Sequence, residues 1–223
     1  MTDPILYFHP FSSYSQKALV AFYETGTPFE GRLLSPENPA AGEELKALWQ
    51  LERFPVLQDG DRTWMESSVI IEWVDARAGG GRLIPAEPEA ALEVRMLDRI
   101  FDGYVMTPMQ QVVFDRIRPE GARDAYGVEQ ARTMLAKAYD WLEDRMTGRE
   151  WAAGVGFSMA DCAAAGSLFY ADWVQPVEGR PALTDYLCRL WRRPSVKRAV
   201  DEARPYRDFF PLGAPQDAAW AKG

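Results

Sequence analysis

Ile5-Leu6-Tyr7-Phe8-His9-Pro10-Phe11-Ser12-Ser13-Tyr14-Ser15-Gln16-Lys17 contains a change of period. The first four residues are a short apolar run stopped by Pro10, the pattern of a buried strand. From Tyr14 to Thr25 the apolar residues Ala18, Leu19, Phe22 and Tyr23 recur every three or four positions. That is a helical period, and Gly26 closes it. Ser13 and Gln16 fit an S-x-x-Q capping box, which makes Ser13 the cap and leaves Ser12 one position outside the helix with its hydroxyl uncommitted. The unpaired N–H groups of a first turn concentrate positive potential there and favour an anion.

Working outward, Phe29 to Leu34 reads as a second strand and Glu43 to Leu51 as a helix. Pro55-Val56-Leu57 and Thr63-Trp64-Met65 flank Asp59-Gly60, a hairpin signal. Ser67 to Ala78 is helical, with Val69, Ile70, Trp73 and Val74 on one side. The order β-α-β-α-β-β-α makes residues 1–80 an α/β unit. Gly79-Gly80-Gly81 stops its last helix, and residues 81–88, with Pro85 and Pro88, read as a linker. Residues 89–223 are helical almost throughout, with breakers that divide them into about five helices, an all-α bundle.

Composition narrows the function. The 223 residues carry 25 Lys and Arg against 33 Asp and Glu, a net charge of −8. Acidic residues outnumber basic ones in both halves, which argues against nucleic acid and anionic membranes as partners. Cys162, Cys188 and the single His9 are too few for a Cys/His zinc site or a disulfide framework, so no metal is expected. A histidine-dependent triad would have to use His9. The N-terminal MTDPILYF has neither a basic nor a long apolar region of a secretory signal. The longest weakly polar run, Cys162 to Ala171, falls short of the ~20 residues of a membrane helix. The expectation is a cytoplasmic protein.

Three further signals stand out. Pro55 opens a strand, where proline is tolerated only at an edge or first position. Glu66-Ser67-Ser68 precedes a strong helix, with Glu66 as a solvated first-turn charge and Ser67 or Ser68 as its cap; a second anion site is equally allowed there. Ser158 and Asp161 form an S-x-x-D capping box that starts an apolar helix, with Phe157 and Cys162 able to form its hydrophobic staple.

Tyr7 to Lys17, Phe54-Pro55-Val56-Leu57, Glu66-Ser67 and Phe157-Ser158-Met159-Ala160-Asp161, in this order and spacing, resemble the glutathione transferases over nearly the whole chain. Arg193-Pro194-Ser195-Val196 resembles a stretch common in bacterial members. The resemblance implies a thioredoxin-like glutathione-binding domain followed by an all-α domain that forms the electrophile pocket. Ser12 aligns with the active-site serine of theta- and zeta-like classes. Ser13, Ser15 and Tyr7 are the rival hydroxyls, Tyr7 because other classes use a strand tyrosine nearby. Pro55 aligns with a cis-proline. Phe54 would offer its backbone to the cysteinyl part of glutathione, Glu66 and Ser67 would hold the γ-glutamyl end, and Arg53 the glycyl carboxylate. Gln50-Leu51-Glu52-Arg53 departs from the usual Asn-Pro-x-Gly before that proline.

The electrophile pocket is expected between the domains, where apolar clefts concentrate. Phe11 and, on one long helix, Phe101, Tyr104, Met106, Met109 and Val113 are its candidate lining; the alternative is that the helix residues pack the second domain's core. The leading function is transfer of glutathione to a small hydrophobic electrophile. A maleyl-type cis–trans isomerase, with Arg116 and Arg118 as candidate cations, and a non-catalytic glutathione-binding scaffold are the alternatives. Glutathione is the co-substrate of the transfer; in the isomerase it adds reversibly to a double bond and is returned. The resemblance also implies a homodimer.

Overall fold

The computed structural model describes residues 3–154 and 156–215. Four strands, β1 (Ile5–Phe8), β2 (Glu30–Leu33), β3 (Val56–Asp59) and β4 (Arg62–Met65), form one sheet in the order β2-β1-β3-β4. β1 runs parallel to β2 and antiparallel to β3, and β3 and β4 make the Asp59–Arg62 hairpin. Helices α1 (Ser13–Thr25), α2 (Pro39–Leu48) and α3 (Ser67–Arg77) cover the sheet, giving the thioredoxin-like order β-α-β-α-β-β-α.

Register assigns the faces. Leu6, Leu57 and Trp64 lie opposite one another, and their side of the sheet packs on α1 and α3. Tyr7, Val56 and Met65 also align, and they face the other way, onto Leu45 and Leu48 of α2. A strand alternates its side chains between faces, so Tyr7 must lie opposite Leu6.

The helical part follows from α4 (Pro88–Ile100), α5 (Thr107–Ile117), α6 (Ala125–Met146), α7 (Met159–Val174), α8 (Pro181–Arg192) and α9 (Pro194–Ala203). These are six α-helices among the described residues rather than about five. A π-helical stretch, Phe101–Met106, joins α4 to α5 without a break. Pro108 has no N–H to continue an α-helical ladder there, and the wider turn absorbs the loss. No helix among the described residues is long and apolar enough to cross a membrane.

Three boundaries differ from expectation. α2 begins at Pro39, not Glu43, because proline's fixed φ suits a first helical position. Ser12, not Ser13, occupies the N-cap of α1; its Oγ accepts from Ser15 N at 3.3 Å. Gln16 does not close a capping box. Its side-chain amide donates to Pro10 O at 3.1 Å and Tyr170 OH at 3.0 Å instead. The cap position of α3 falls on Glu66, with φ +67°, which leaves Ser67 as the first helical residue.

Residues joining the two parts are held firmly. Gly79, Gly80 and Gly81 all take positive φ, and the turn wraps the Asp75 carboxylate, which accepts from the N–H groups of Gly81, Arg82 and Leu83. The core is continuous from Leu6, Leu19 and Ile70 through Leu83 to Val94, Leu97, Cys162 and Leu168. At its centre lies α7, buried along nearly its whole length. Its small residues let α1 approach closely: a Cβ on Gly166 would stand 2.6 Å from Ser13 O. Ser158 and Asp161 form the expected capping box. The Asp161 carboxylate also accepts from Ala152 N at 2.9 Å and Tyr186 OH at 2.6 Å.

Candidate functional site

A cleft of ≈ 660 Å³ opens between the α/β part and the helical part. Its polar wall comes from three places where an element begins. Ser12, Ser13 and Tyr14 stand at the start of α1, Arg53, Phe54 and Pro55 just before β3, and Glu66 and Ser67 at the start of α3. The Phe54–Pro55 bond is cis. Its apolar wall comes from Met109, Val113, Phe114 and Ile117 of α5, Tyr170 of α7, and Phe209, Phe210 and Pro211. Phe11 lies where the walls meet, edge-on to Tyr170 with ring centres 5.4 Å apart. Among the described residues, the charged ones of the lining, Glu52, Arg53 and Glu66, are all in the α/β part.

Hydrogen bonds fix the turn before α1. Ser12 N donates to His9 O at 2.9 Å, Phe11 N to His9 Nδ1 at 3.1 Å, and Gln16 N to Ser12 O at 2.8 Å. Burial lowers the His9 pKa, which keeps the neutral ring whose Nδ1 can accept. A serine hydroxyl has one donor and two lone pairs. The cap uses one lone pair of Ser12, and its O–H is still able to donate. Capping the helix and facing the cleft are therefore compatible in one residue.

Beneath the start of α3 lies a buried ion cluster. Lys17 Nζ, wholly buried, lies 2.6 Å from Asp98 Oδ1 and 2.8 Å from Asp102 Oδ2, and donates to Ser68 Oγ at 2.9 Å. Ser68 in turn donates to Asp98 Oδ2 at 2.7 Å. Arg99 closes the cluster on the solvent side, paired with Asp98 and Asp102. An unpaired buried ammonium is prohibitively costly, so both carboxylates are needed where they stand. The cluster fixes Ser68, and with it the adjoining Ser67, against α1 and α4. Tyr14 faces the cleft nearby with its pKa pushed up to about 12 by burial, with Asp102 adding to the effect.

The cleft gathers Ser12, Ser13, Arg53, Phe54, Pro55, Glu66, Ser67, Phe11, Met109 and Val113 of the expected residues. Five others lie elsewhere. Tyr7 donates to Glu44 Oε2 at 3.0 Å on the opposite face of the sheet, and burial with that carboxylate pushes its pKa up to about 12. Ser15 is buried behind the turn, its Oγ near His9 N. Phe101 and Met106 are wholly buried in the core, and Tyr104 is exposed, away from the cleft lining. Phe101 and Met106 pack the core, the alternative the sequence left open, while Met109, Val113 and Ile117, four residues apart, share the face of α5 that lines the cleft. Arg116 and Arg118 are likewise outside the lining.

Tyr14, Phe114, Ile117, Tyr170 and Phe209 line the cleft without having been singled out in the sequence. For Ile117 the signal was present, an i, i+4, i+8 run from Met109 through Val113. Tyr170 and Phe209 carried none.

The comparisons with known proteins follow this geometry. A family model described as the N-terminal domain of glutathione S-transferase matches residues 6–82, and one described as the C-terminal domain matches residues 125–189. The chain is similar to a glutathione S-transferase of Methylobacillus flagellatus KT, solved with glutathione bound. The two are 26% identical, with a TM-score of 0.77 over 88% of this chain and 98% of that one. A glutathione S-transferase of Methylobacterium radiotolerans JCM 2831, solved with glutathione sulfonate, is 25% identical, with a TM-score of 0.77 over 98% of both chains. Glutathione S-transferase U1 of Arabidopsis thaliana is 22% identical over 195 residues, covering 87% of this chain and 76% of the relative.

Proposed function

Because the chain belongs to the glutathione S-transferase family, we propose that it activates the thiol of glutathione through Ser12 and transfers it to a small, uncharged, apolar electrophile. Residues 1–80 would bind glutathione, residues 89–223 would supply the electrophile's wall, and 81–88 join them. The observation that carries this reading is the division of the cleft into a polar wall with Ser12 at a helix N-terminus and an apolar wall that has no charged side chain among the described residues.

The energetics are sufficient. A thiol of pKa ≈ 8.5 is only about 3% ionised at pH 7, and lowering that pKa by ~2 units requires about 2.7 kcal/mol. A hydrogen bond from Ser12 to a charged sulfur contributes about 1.5–3 kcal/mol, and the N-terminus of α1 about 0.3–1 kcal/mol. The thiol proton leaves to solvent. The thiolate pair forms the new S–C bond as the bond to the electrophile's leaving group breaks and that group departs with its electron pair, or as the π pair of a double bond shifts to the neighbouring atom, which takes a proton from solvent. Arg53, the backbone of Phe54 and Pro55, and Glu66 with Ser67 are the groups offered to the tripeptide.

The cleft favours transfer over diacid isomerisation. A dianionic substrate needs cations, and among the described residues the only one in the lining, Arg53, stands on the polar wall. A homodimer fits the exposed Val69 of α3 and Leu92 and Met96 of α4, helices joined by the Arg95–Glu72 pair.

The test is the thiolate absorbance of bound glutathione against pH. A wild-type value well below 8.5 that rises in Ser12→Ala supports the assignment. A low value indifferent to Ser12→Ala moves the role to Ser13 or Tyr14. Binding without any shift would make the chain a glutathione-binding scaffold.

A further inference from the structure

We propose that Tyr170, assisted by Gln16, is a positioning residue for the thiol-activating turn, acting through Ser12 without touching glutathione itself. The inference rests on the Ser12 reading above and adds a residue from the other half of the molecule. Tyr170 OH donates to Phe11 O at 2.9 Å. That oxygen belongs to the Phe11–Ser12 peptide plane, whose N–H donates to His9 O at 2.9 Å. The plane is thus pinned at both ends, one end by its own turn and the other by α7. Gln16 holds the preceding carbonyl, Pro10 O, and its amide also donates to the Tyr170 hydroxyl. A peptide plane has only soft rotation about its flanking bonds, so these bonds set the direction in which Ser12 projects.

Tyr170 is suited to this work. It is 3% exposed, and burial raises its pKa far above neutrality, so it remains a donor at any working pH. Its ring lies on the apolar wall, stacked on Phe210 at 6.0 Å. One side chain thereby joins the surface offered to the electrophile to the hydrogen bond offered to the sulfur.

The experiment uses Tyr170→Phe, which removes one oxygen and keeps the ring, and Ser12→Ala/Tyr170→Phe, with glutathione saturating. Thiolate absorbance and the kcat–pH profile are measured. In Tyr170→Phe the bound thiol's pKa should rise by roughly 0.5–1 unit, with kcat about three- to tenfold lower below that pKa and equal to wild type at alkaline pH. The KM for glutathione should stay within roughly twofold of wild type, and the double variant should titrate like Ser12→Ala alone. An unchanged pKa in Tyr170→Phe, or shifts that add in full in the double variant, would overturn the inference. Should Tyr170→Phe not fold, Gln16→Met is read by the same two criteria. A wild-type thiol titrating at its free value refutes the Ser12 reading itself, and this one with it.

Discussion

On the polar wall of the cleft, Ser12, Pro55 and Ser67 sit where a helix or strand begins; on the apolar wall, Met109, Val113 and Ile117 recur every four residues along one face of α5. The polar wall works through backbone direction. Helix starts present N–H groups that no intrahelical acceptor can reach, and Glu66 takes the left-handed φ that places Ser67 at such a start. The apolar wall works through side-chain bulk on one helical face. The two walls therefore offer different recognition: directional and polar where elements begin, permissive and apolar along a helical face.

The largest expected effect comes from forcing the walls apart. Gly166→Ala places a methyl against Ser13 O, and overpacking of this kind costs roughly 1–3 kcal/mol. Denaturant unfolding should detect that loss, and turnover should fall with it because Ser13 adjoins Ser12. A variant as stable and active as wild type would mean that α1 and α7 are not held rigidly.

Next come two substitutions that should separate the walls. Ser67→Ala should weaken glutathione by about 1–2 kcal/mol, roughly tenfold in KM, and leave the electrophile's KM alone. Phe114→Ala should do the reverse, by about 1 kcal/mol on an apolar electrophile. Steady-state kinetics with each substrate varied in turn decides it; crossed effects would erase the division of labour.

A smaller effect is pH-dependent. Burial opposes ionisation of Glu24, but hydrogen bonds from Arg193 and Ser195 outweigh it and hold its carboxyl below the ordinary value. A depressed folded pKa stabilises the protein above the unfolded value near 4.3 and loses that contribution as pH falls through the folded value. Between pH 5 and about 3 the wild-type Tm should therefore fall more steeply than that of Glu24→Gln. Parallel curves would remove this contact between α1 and the start of α9 from the account.

The smallest expected effect is in Arg116→Ala with Arg118→Ala. Neither side chain lines the cleft, so kcat/KM for an uncharged electrophile should move by less than about twofold. A large loss would restore a cationic wall and with it the isomerase.

What the sequence reveals of the site follows the same division. Pro55, Glu66-Ser67 and the serines after Pro10 interrupt a pattern, and interruptions are local events that a sequence displays directly. The strands, the hairpin at Gly60 and the breaks between helices were legible for the same reason. The apolar wall depends on which side of a long helix meets the cleft and which meets the core, and apolar character alone does not tell the two apart. Phe101 and Met106 turn to the core and Tyr104 to solvent. Tyr7 shows a related limit: alternation says that neighbouring strand residues face opposite ways, not which way the cleft lies. Tyr170 looked like any aromatic in a buried helix, because its partner is a backbone carbonyl 159 positions away.

Every residue of α1 from Ser15 to Phe22 is buried, and the charge of Lys17 among them is met by carboxylates from the helical part, on Asp98 and Asp102. A helix enclosed on all sides belongs to neither half. Residues 1–80 expressed alone would carry a raw apolar surface where α7 should be, so two regions distinguishable by chemistry share one core and should melt as a single cooperative unit.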